Sequence, residues 1–471
     1  MKRLPLYEAL AGEIEAQIGE GTLVPGERVP SVRRLSRTRR VSVTTVLRAY
    51  LLLERRGALE ARPQSGFYVR VPASRAPAPR PAAPPANPRP VKVQDLVAAV
   101  FEAARSPAIV PLGAALPSPE LFPARQLNLA ARRVLRRDPL HSAGYELSPG
   151  HEPLRRQIAR RLSEAGVRLG AEDVVVTVGA LDAVQLCLRA VTRPGDTVAV
   201  ESPTFFGLLE CLEGLGLRAL ELPTDPDGGL DLDAFEHAVR RRRVRAGLFM
   251  PSFHNPLGCS LTLEARRRLA ALCARHQVPV IEDDVYRELP HAGEPPPPVK
   301  AFDRSGQVLL CGSFSKTLSA GLRVGWAVPG RYLERVRSLQ LASTIAAPSL
   351  PQRLLAHYLG QASFERHLRW LRRAFRDQVL RVSQAVQAHF PGGTRLGRPQ
   401  GGFTLWVELP GQADALELHR RALAEGIGIA PGAIFSTSRR MRGCLRINCG
   451  NQWSPRIERA LATLGRLAHE V

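Results

Sequence analysis

The chain has 471 residues, enough for two or three domains, and 66 basic against 43 acidic residues leave a formal charge of +23. A hydrophobic content of 44% with 23% charged residues excludes a globally disordered chain, and no apolar run reaches the roughly 18 residues of a membrane span. Only four basic residues are lysines, Lys2, Lys92, Lys300 and Lys316. A GC-rich genome accounts for that bias; the excess of positive charge itself favours an anionic partner, nucleic acid first. The first residues lack the apolar core of a signal peptide, and seven scattered cysteines without a CxxC pair read as reduced thiols. A cytoplasmic protein without membrane or disulfide framework is therefore expected.

Leu6, Leu10, Ile14 and Ile18 recur every fourth residue and predict an amphipathic first helix that stops near Gly19–Gly21. Pro25-Gly26 forms a turn. Pro30-Ser31 opens a short second helix with Ser31 as its cap, and Ser42 caps a third whose buried face uses Val43, Val46, Leu47, Tyr50 and Leu53 before Gly57 ends it. Two β-prone runs, Leu59 to Arg62 and Phe67 to Val71, flank Gln64-Ser65-Gly66, with Gly66 where a hairpin turn needs positive φ. Three helices and a hairpin make an α+β winged helix-turn-helix. From Arg28 to Arg70 eleven arginines face only Glu54 and Glu60. Arg33, Arg34, Arg37, Arg39 and Arg40 crowd the second helix and its turn, where phosphates would be held, and the third helix offers Ser42, Thr44, Thr45 and Arg48 to the major groove.

Residues 72–90, PASRAPAPRPAAPPANPRP, are nearly half proline and cannot form a core. They predict a semi-rigid, partly polyproline linker, which divides the chain into residues 1–71, a linker over 72–92 and a large module over 93–471.

Four segments of the large module carry chemistry. Thr177-Val178-Gly179-Ala180-Leu181-Asp182 follows the apolar run Val174 to Val176 and opens a helix, whose bare N–H groups suit an anion. Pro251-Ser252-Phe253-His254-Asn255-Pro256 follows the strand-like Ala246 to Met250 and demands locally no more than a turn. Val278 to Ile281 leads into Glu282-Asp283-Asp284-Val285-Tyr286, acids at a strand end where α/β folds place ligand groups, or merely solvated there. Val308 to Ser313 leads through Phe314-Ser315 to Lys316, followed by Gly321-Leu322-Arg323-Val324-Gly325. A lysine after a buried strand, in a chain nearly devoid of lysine, suits an amine that forms a Schiff base, which a guanidinium cannot do. Of the four lysines only Lys316 is expected to be buried.

Pro5-Leu6-Tyr7, Pro25-Gly26-Glu27-Arg28-Val29-Pro30-Ser31, Val41-Ser42-Val43-Thr44-Thr45-Val46 and Gln64-Ser65-Gly66-Phe67-Tyr68 resemble the GntR-type bacterial repressor domain. One departure is position 43, often arginine in that family and here valine. The four segments of residues 108–471 together resemble fold-type I pyridoxal-phosphate proteins of the aspartate aminotransferase superfamily, an α/β fold with a mainly parallel sheet and a small C-terminal α+β subdomain. That resemblance implies that Lys316 makes the internal aldimine and that Asp283, three residues before Tyr286, pairs with the pyridinium nitrogen in preference to Asp284. It further implies that Asn255 and Tyr286 donate to the ring hydroxylate and that Phe205 stacks on the ring. Gly179, Ala180, Leu181, Ser313 and Arg323 would hold the phosphate, although relatives often carry a polar residue where Leu181 stands. Tyr145 would reach the phosphate of a partner subunit, and Arg446 would clamp a substrate carboxylate.

A winged helix joined to such a body resembles the MocR-type transcriptional regulators. The resemblance implies a head-to-tail homodimer that binds double-stranded operator DNA and senses pyridoxal 5'-phosphate, an amino acid or an amine through the aldimine at Lys316. The competing expectation is a working aminotransferase with a DNA-binding appendage; a cofactor scavenger without an operator fits poorly with the arginine-rich wing.

Overall fold

The computed structural model describes residues 5–19, 22–23, 26–56, 58–62, 65–69, 76–438 and 440–471. The expectations placed on Pro25, Gly57, Gln64, Arg70, Val71 and the first part of the linker lie outside these residues. Two compact units result, Met1–Arg75 and Ala76–Val471.

In the first unit, α1 (Leu6–Gly19), α2 (Val32–Arg39) and α3 (Val43–Arg55) precede a hairpin of β1 (Leu59–Arg62) and β2 (Gly66–Val69). Both expected caps form: Ser31 Oγ accepts from Arg34 N at 3.2 Å and Ser42 Oγ from Thr45 N at 3.0 Å, each satisfying one N–H that a helix start leaves open. Leu10 and Ile14 of α1 meet Val46, Ala49, Tyr50 and Leu53 of α3 in one core. Tyr50 ties that core to the chain entering α2 by donating to the Pro30 carbonyl at 2.7 Å, and burial pushes its hydroxyl up to about 12. The expected core assignment needs correction at three positions, since Leu6, Val43 and Leu47 are exposed. Val46, Ala49, Tyr50 and Leu53 fill the face of α3 turned to α1, and at 100° per residue Val43 and Leu47 fall on the flank. An unexpected third edge widens the wing: Val29 N donates to Phe67 O, Val69 N to Glu27 O, and Arg28 pairs with Tyr68.

The second unit begins with the proline-rich segment, and residues 76–90 are not a free linker. They run along the unit they precede. Proline has no N–H and a polyproline strand has no internal hydrogen bonds, so its carbonyls need outside donors. Arginines supply them: Arg398 to Ala76 O, Arg395 to Ala78 O, Arg440 to Ala83 O, Arg243 to Ala86 O and Arg218 to Pro88 O, at 2.6 to 3.4 Å. Arg80 N donates to Glu408 at 2.7 Å, and β3 (Arg89–Pro90) joins the edge of the large sheet.

After the short β4 (Val110–Pro111), the large sheet is assembled from β5 (Val175–Thr177), β6 (Thr197–Ser202), β7 (Arg218–Asp225), β8 (Gly229–Leu230), β9 (Ala246–Phe249), β10 (Val280–Asp283), β11 (Val308–Ser313) and β12 (Gly325–Val328). Its order is β3-β7-β6-β9-β10-β11-β12-β5, with β8 paired to β7. The strands β7, β6, β9, β10 and β11 are mutually parallel, while β12 is antiparallel to both its neighbours. Their near-continuous burial is what a sheet covered by helices on both faces requires. A second antiparallel sheet contains β13 (Arg395–Leu396), β14 (Thr404–Glu408), β16 (Ala430–Pro431) and β17 (Cys444–Asn448), while β15 (Ile427–Gly428) pairs with β4. It shares a core with the helices Ser363–His389, Ala415–Ala424 and Pro455–Ala468. This is the fold-type I architecture with its mainly parallel sheet and small C-terminal subdomain. Among the described residues no helix is long and apolar enough to cross a membrane, and all seven cysteines are free thiols.

Candidate cofactor and DNA sites

The C-terminal ends of β6, β9, β10 and β11 converge on one cavity, where open α/β sheets bind ligands. Ala180, Leu181, Phe205, Asn255, Asp283, Tyr286, Ser313, Lys316 and Arg323 all line it. At one end the helix Ala180–Val191 starts without a side-chain cap, leaving its first N–H groups for an anion. Gly179 precedes it at φ +91°, and a Cβ there would lie 2.5 Å from Arg323 Nη2. Gly325 is equally tight, since its Cβ would lie 2.4 Å from the Gly179 carbonyl carbon. These glycines bring backbone amides, Ser313 and the Arg323 guanidinium together. Arg323 is held by Val178 O at 3.1 Å and Ala320 O at 3.3 Å.

At the other end Asp283 is buried, and its Oδ1 has no hydrogen-bond partner among the described residues. Burial and the neighbouring Asp284 push its carboxyl up to about 7. An orphaned carboxylate oxygen facing a cavity is costly unless a donor arrives. Lys316 Nζ donates to the Ala115 carbonyl at 3.0 Å, and burial, with Arg446 and Arg323 nearby, lowers its ammonium to about 8 against the weaker opposing pull of Asp283. Tyr286 hydrogen-bonds Asn255 and is pushed up by burial. Arg446, on β17 of the small sheet, reaches over: Nη1 donates to Asn255 Oδ1 at 3.0 Å and Nη2 to Gly113 O at 2.5 Å, while Nε has no partner among the described residues. Burial lowers this guanidinium to about 10.

In the first unit Arg33, Arg34 and Arg48 are exposed, as are Ser31, Ser42 and Thr44, whereas Thr45 is half-buried. Ser42 and Thr45 share a hydrogen bond of 2.8 Å between their hydroxyls, so both are engaged in the cap. Arg39 is paired to Glu13 at 3.0 Å and so braces α2 on α1. Gly66, at φ +108°, turns the wing against the Arg28 guanidinium, 3.5 Å from where a Cβ would stand.

The family of aminotransferases class I and II matches residues 124–464, and the gntR family of bacterial regulatory proteins matches residues 6–69. The chain belongs to both, joined in the MocR layout. It is 40% identical over 98% of its length to the Escherichia coli uncharacterized HTH-type transcriptional regulator YdcR, covering 99% of that protein. The 2-aminoadipate transaminase of Thermus thermophilus is 34% identical over 76% of this chain and 90% of its own. Among solved structures, LysN, the alpha-aminoadipate aminotransferase of Thermus thermophilus complexed with N-(5'-phosphopyridoxyl)-L-leucine, superimposes with a TM-score of 0.73 at 32% identity, over 79% of this chain and 94% of that one.

In this MocR-type chain the three consecutive acids have three different surroundings. Glu282 turns away from the cavity and accepts from Val299 N and Lys300 N, Asp283 faces the cavity, and Asp284 pairs with Arg287 at 2.6 Å. Strand alternation turns Glu282 and Asp283 to opposite faces, and Asp284 follows the end of β10. Burial does not single out Lys316, which is half-buried: Lys300 is the buried lysine, but its Nζ is held by Asp303 at 2.9 Å and Val308 O at 2.7 Å, leaving Lys316 as the lysine that lines the cavity. Tyr145 is 79% exposed and does not line the cavity of its own chain. Sequence reasoning missed Ala115 and Gly113, whose contribution is a carbonyl and leaves no side-chain signature. It also missed the Phe206 and Phe435 rings, 5.5 and 5.0 Å from the Arg446 guanidinium.

Proposed function

We propose that the protein is a MocR-type transcriptional regulator that binds operator DNA through its winged helix and senses an amino compound in its aminotransferase-like body with pyridoxal 5'-phosphate as cofactor. The supporting observation is one cavity that joins an amide, serine and arginine cup, a half-buried lysine and an orphaned carboxylate, in the same chain as an arginine-rich helix-turn-helix. The residues fit that cofactor. The start of the helix Ala180–Val191, with Gly179, Ser313 and Arg323, would hold its phosphate, and a Cβ on Gly179 would collide with the Arg323 guanidinium that belongs to this cup. Asp283 Oδ1, which lacks a partner among the described residues, would accept from a ring N–H, Asn255 and Tyr286 would hydrogen-bond the ring oxygen, and Phe205 would stack on the ring. When bound, the cofactor supplies a carbonyl carbon that condenses with amines and a ring that withdraws electrons.

The chain's own groups do the rest. Lys316, with its pKa lowered to about 8, reaches the neutral amine near physiological pH and can give up or take up a proton at Nζ. Asp283, with its pKa raised to about 7, would share a proton with the ring nitrogen. Arg446 is a buried cation that needs an anion, and a carboxylate of the effector satisfies it bidentately. Because Arg446 belongs to the small sheet and Lys316 follows a strand of the large one, an effector bridging them favours a closed arrangement. It biases DNA binding only if it binds the two arrangements unequally. Tyr145, exposed in one chain, would reach the cavity of a second copy in a head-to-tail homodimer.

The convergence of Lys316, Asp283, Tyr286 and Arg446 also supports transamination as a second reading. Lys316→Ala tests the first: the visible absorbance of bound cofactor and the effector response of DNA binding should both vanish while the fold persists, and retained absorbance would refute the site. Sustained turnover of amino acids with a keto acid at about 1 per second or faster would favour the enzyme.

A further inference from the structure

The exposed side of α3 is apolar where a DNA-reading helix is expected to be polar. Val43 is 50% exposed on its first turn and Leu47 40% exposed on its second, four residues on and thus on the same side of the helix. The polar groups beside them are already committed. The Ser42 hydroxyl caps Thr45 N and meets the Thr45 hydroxyl, which leaves Thr44 and Arg48 as the polar readers of these turns. We propose that Val43 and Leu47 are specificity-determining residues that recognise the C5 methyl groups of thymines in the operator, a proposal that rests on the DNA-binding reading above.

The occupant follows from the surroundings. Exposed Arg33, Arg34 and Arg37 on α2 and Arg48 on α3 accompany the apolar pair, and from Arg28 to Arg70 the chain has eleven arginines and two acids. Such a face suits a polyanion. In the major groove the one apolar group that DNA presents on its base edges for such contacts is the thymine methyl; the groups that distinguish the other bases are hydrogen-bond donors and acceptors. The N-terminal turns of a recognition helix are the ones that reach those edges. Four residues advance about 6 Å along the helix, close to two steps of about 3.4 Å along a strand, so the two side chains reach bases about two positions apart. Val43 and Leu47 stand on the first two turns, which reach the base edges, and Leu51, 42% exposed one turn further on, continues the stripe beyond them; aliphatic tips among arginines match methyl groups on a polyanion better than the apolar groove of a protein.

The test uses the full-length, cofactor-loaded protein. A duplex is selected from a random-sequence library, and each thymine of the bound sequence is then replaced singly by deoxyuridine, which lacks only the methyl. Binding is expected to weaken about fourfold at one or two thymines per half-site, the effect of burying one methyl. Val43→Ser and Leu47→Gln, both at exposed positions that leave the core intact, are expected to bind thymine and uracil equally at the corresponding position. A selected duplex in which no thymine-to-uracil change matters, or variants that keep the discrimination, would overturn the proposal. Failure to enrich any sequence would instead overturn the DNA-binding reading itself, and the proposal with it.

Discussion

Arg446 and Asn255 are hydrogen-bonded from the small sheet to the large one, Nη1 to Oδ1 at 3.0 Å, with the arginine fully buried. The residue on which an effector carboxylate is proposed to land is therefore the same residue that orients Asn255, a side chain lining the proposed cofactor cavity. A signal at one reaches the other through a single bond.

Arg446→Ala should separate cofactor retention from effector response. Lys316, Asp283 and the anion cup are untouched, so the cofactor's visible absorbance should persist. Apparent affinity for carboxylated amino acids should fall at least tenfold, because a charge-assisted hydrogen bond contributes about 1.5–3 kcal/mol. Arg446→Lys should rescue little, since an ammonium cannot bridge Asn255, Gly113 O and a carboxylate with a planar fork. Titration with an amino acid and with its decarboxylated amine is the measurement. Equal losses for both would remove Arg446 from carboxylate recognition.

Lys316 gives a pH signature in the cofactor-free protein. Its ammonium is lowered from 10.5 to about 8 by burial and by Arg446 and Arg323, with Asp283 opposing. Between those values the unfolded chain binds a proton that the folded chain has released, so stability should rise with pH from about 8 to 10.5. Asp283, raised from 3.8 to about 7, acts oppositely at lower pH: its contribution is present in acid and lost as pH rises to about 7. Reductive ¹³C-methylation of lysines followed by NMR titration should show one resonance with a midpoint near 8 that is absent from Lys316→Met. Asp283→Asn should move that midpoint lower still, because it removes the neighbouring carboxylate that favours the charged amine. A midpoint unshifted from 10.5 would contradict the burial on which the assignment rests.

The proline-rich strap should loosen when its donors are removed. Arg440 and Arg243 hold the Ala83 and Ala86 carbonyls from two parts of the second unit. The double variant Arg440→Ala, Arg243→Ala should therefore expose the Ala82–Ala83 bond to a protease that cuts after small residues, raising the nicking rate several-fold with little change in melting temperature. An unchanged rate would mean that the remaining contacts, Arg395 with Ala78 O and β3 with β7, suffice.

The strap also marks where the sequence was opaque. Composition said correctly that residues 72–90 could build no core, yet the partners of its described part are arginines more than a hundred residues away, and a carbonyl awaiting a donor has no letter of its own. Five arginines explained as genome bias turn out to be its donors. The helix-turn-helix was legible because Ser31 and Ser42 announce their helices. The assignment of Val43 and Leu47 to the core failed because apolar spacing alone does not distinguish a core stripe from its flank when the helix is apolar on more than one side. Asp283 was separable from Asp284 only by resemblance; in the structure, alternation along β10 and the Arg287 pair decide it. The exclusivity claimed for Lys316 failed at Lys300 because Asp303, three residues on, neutralises it.

The arginines of the first unit should not be equivalent on DNA. Arg33, Arg34 and Arg48 are exposed, whereas Arg39 is occupied by Glu13 on α1 at 3.0 Å. A phosphate contact releases a counterion, so losing one should reduce the slope of log affinity against log salt by about 0.9. Arg33→Ala or Arg48→Ala should show that change, together with weaker binding across all sequences for Arg33 and a sequence-dependent loss if Arg48 also touches a base edge. Arg39→Ala should leave the slope unaltered, because its guanidinium is engaged within the protein, and should instead lower the melting temperature slightly, as expected for an exposed ion pair. Binding isotherms over a series of salt concentrations decide the matter: an equal slope change at Arg39 would show that the Glu13 pair opens on DNA, and no change at Arg33 and Arg48 would place the DNA-facing surface elsewhere.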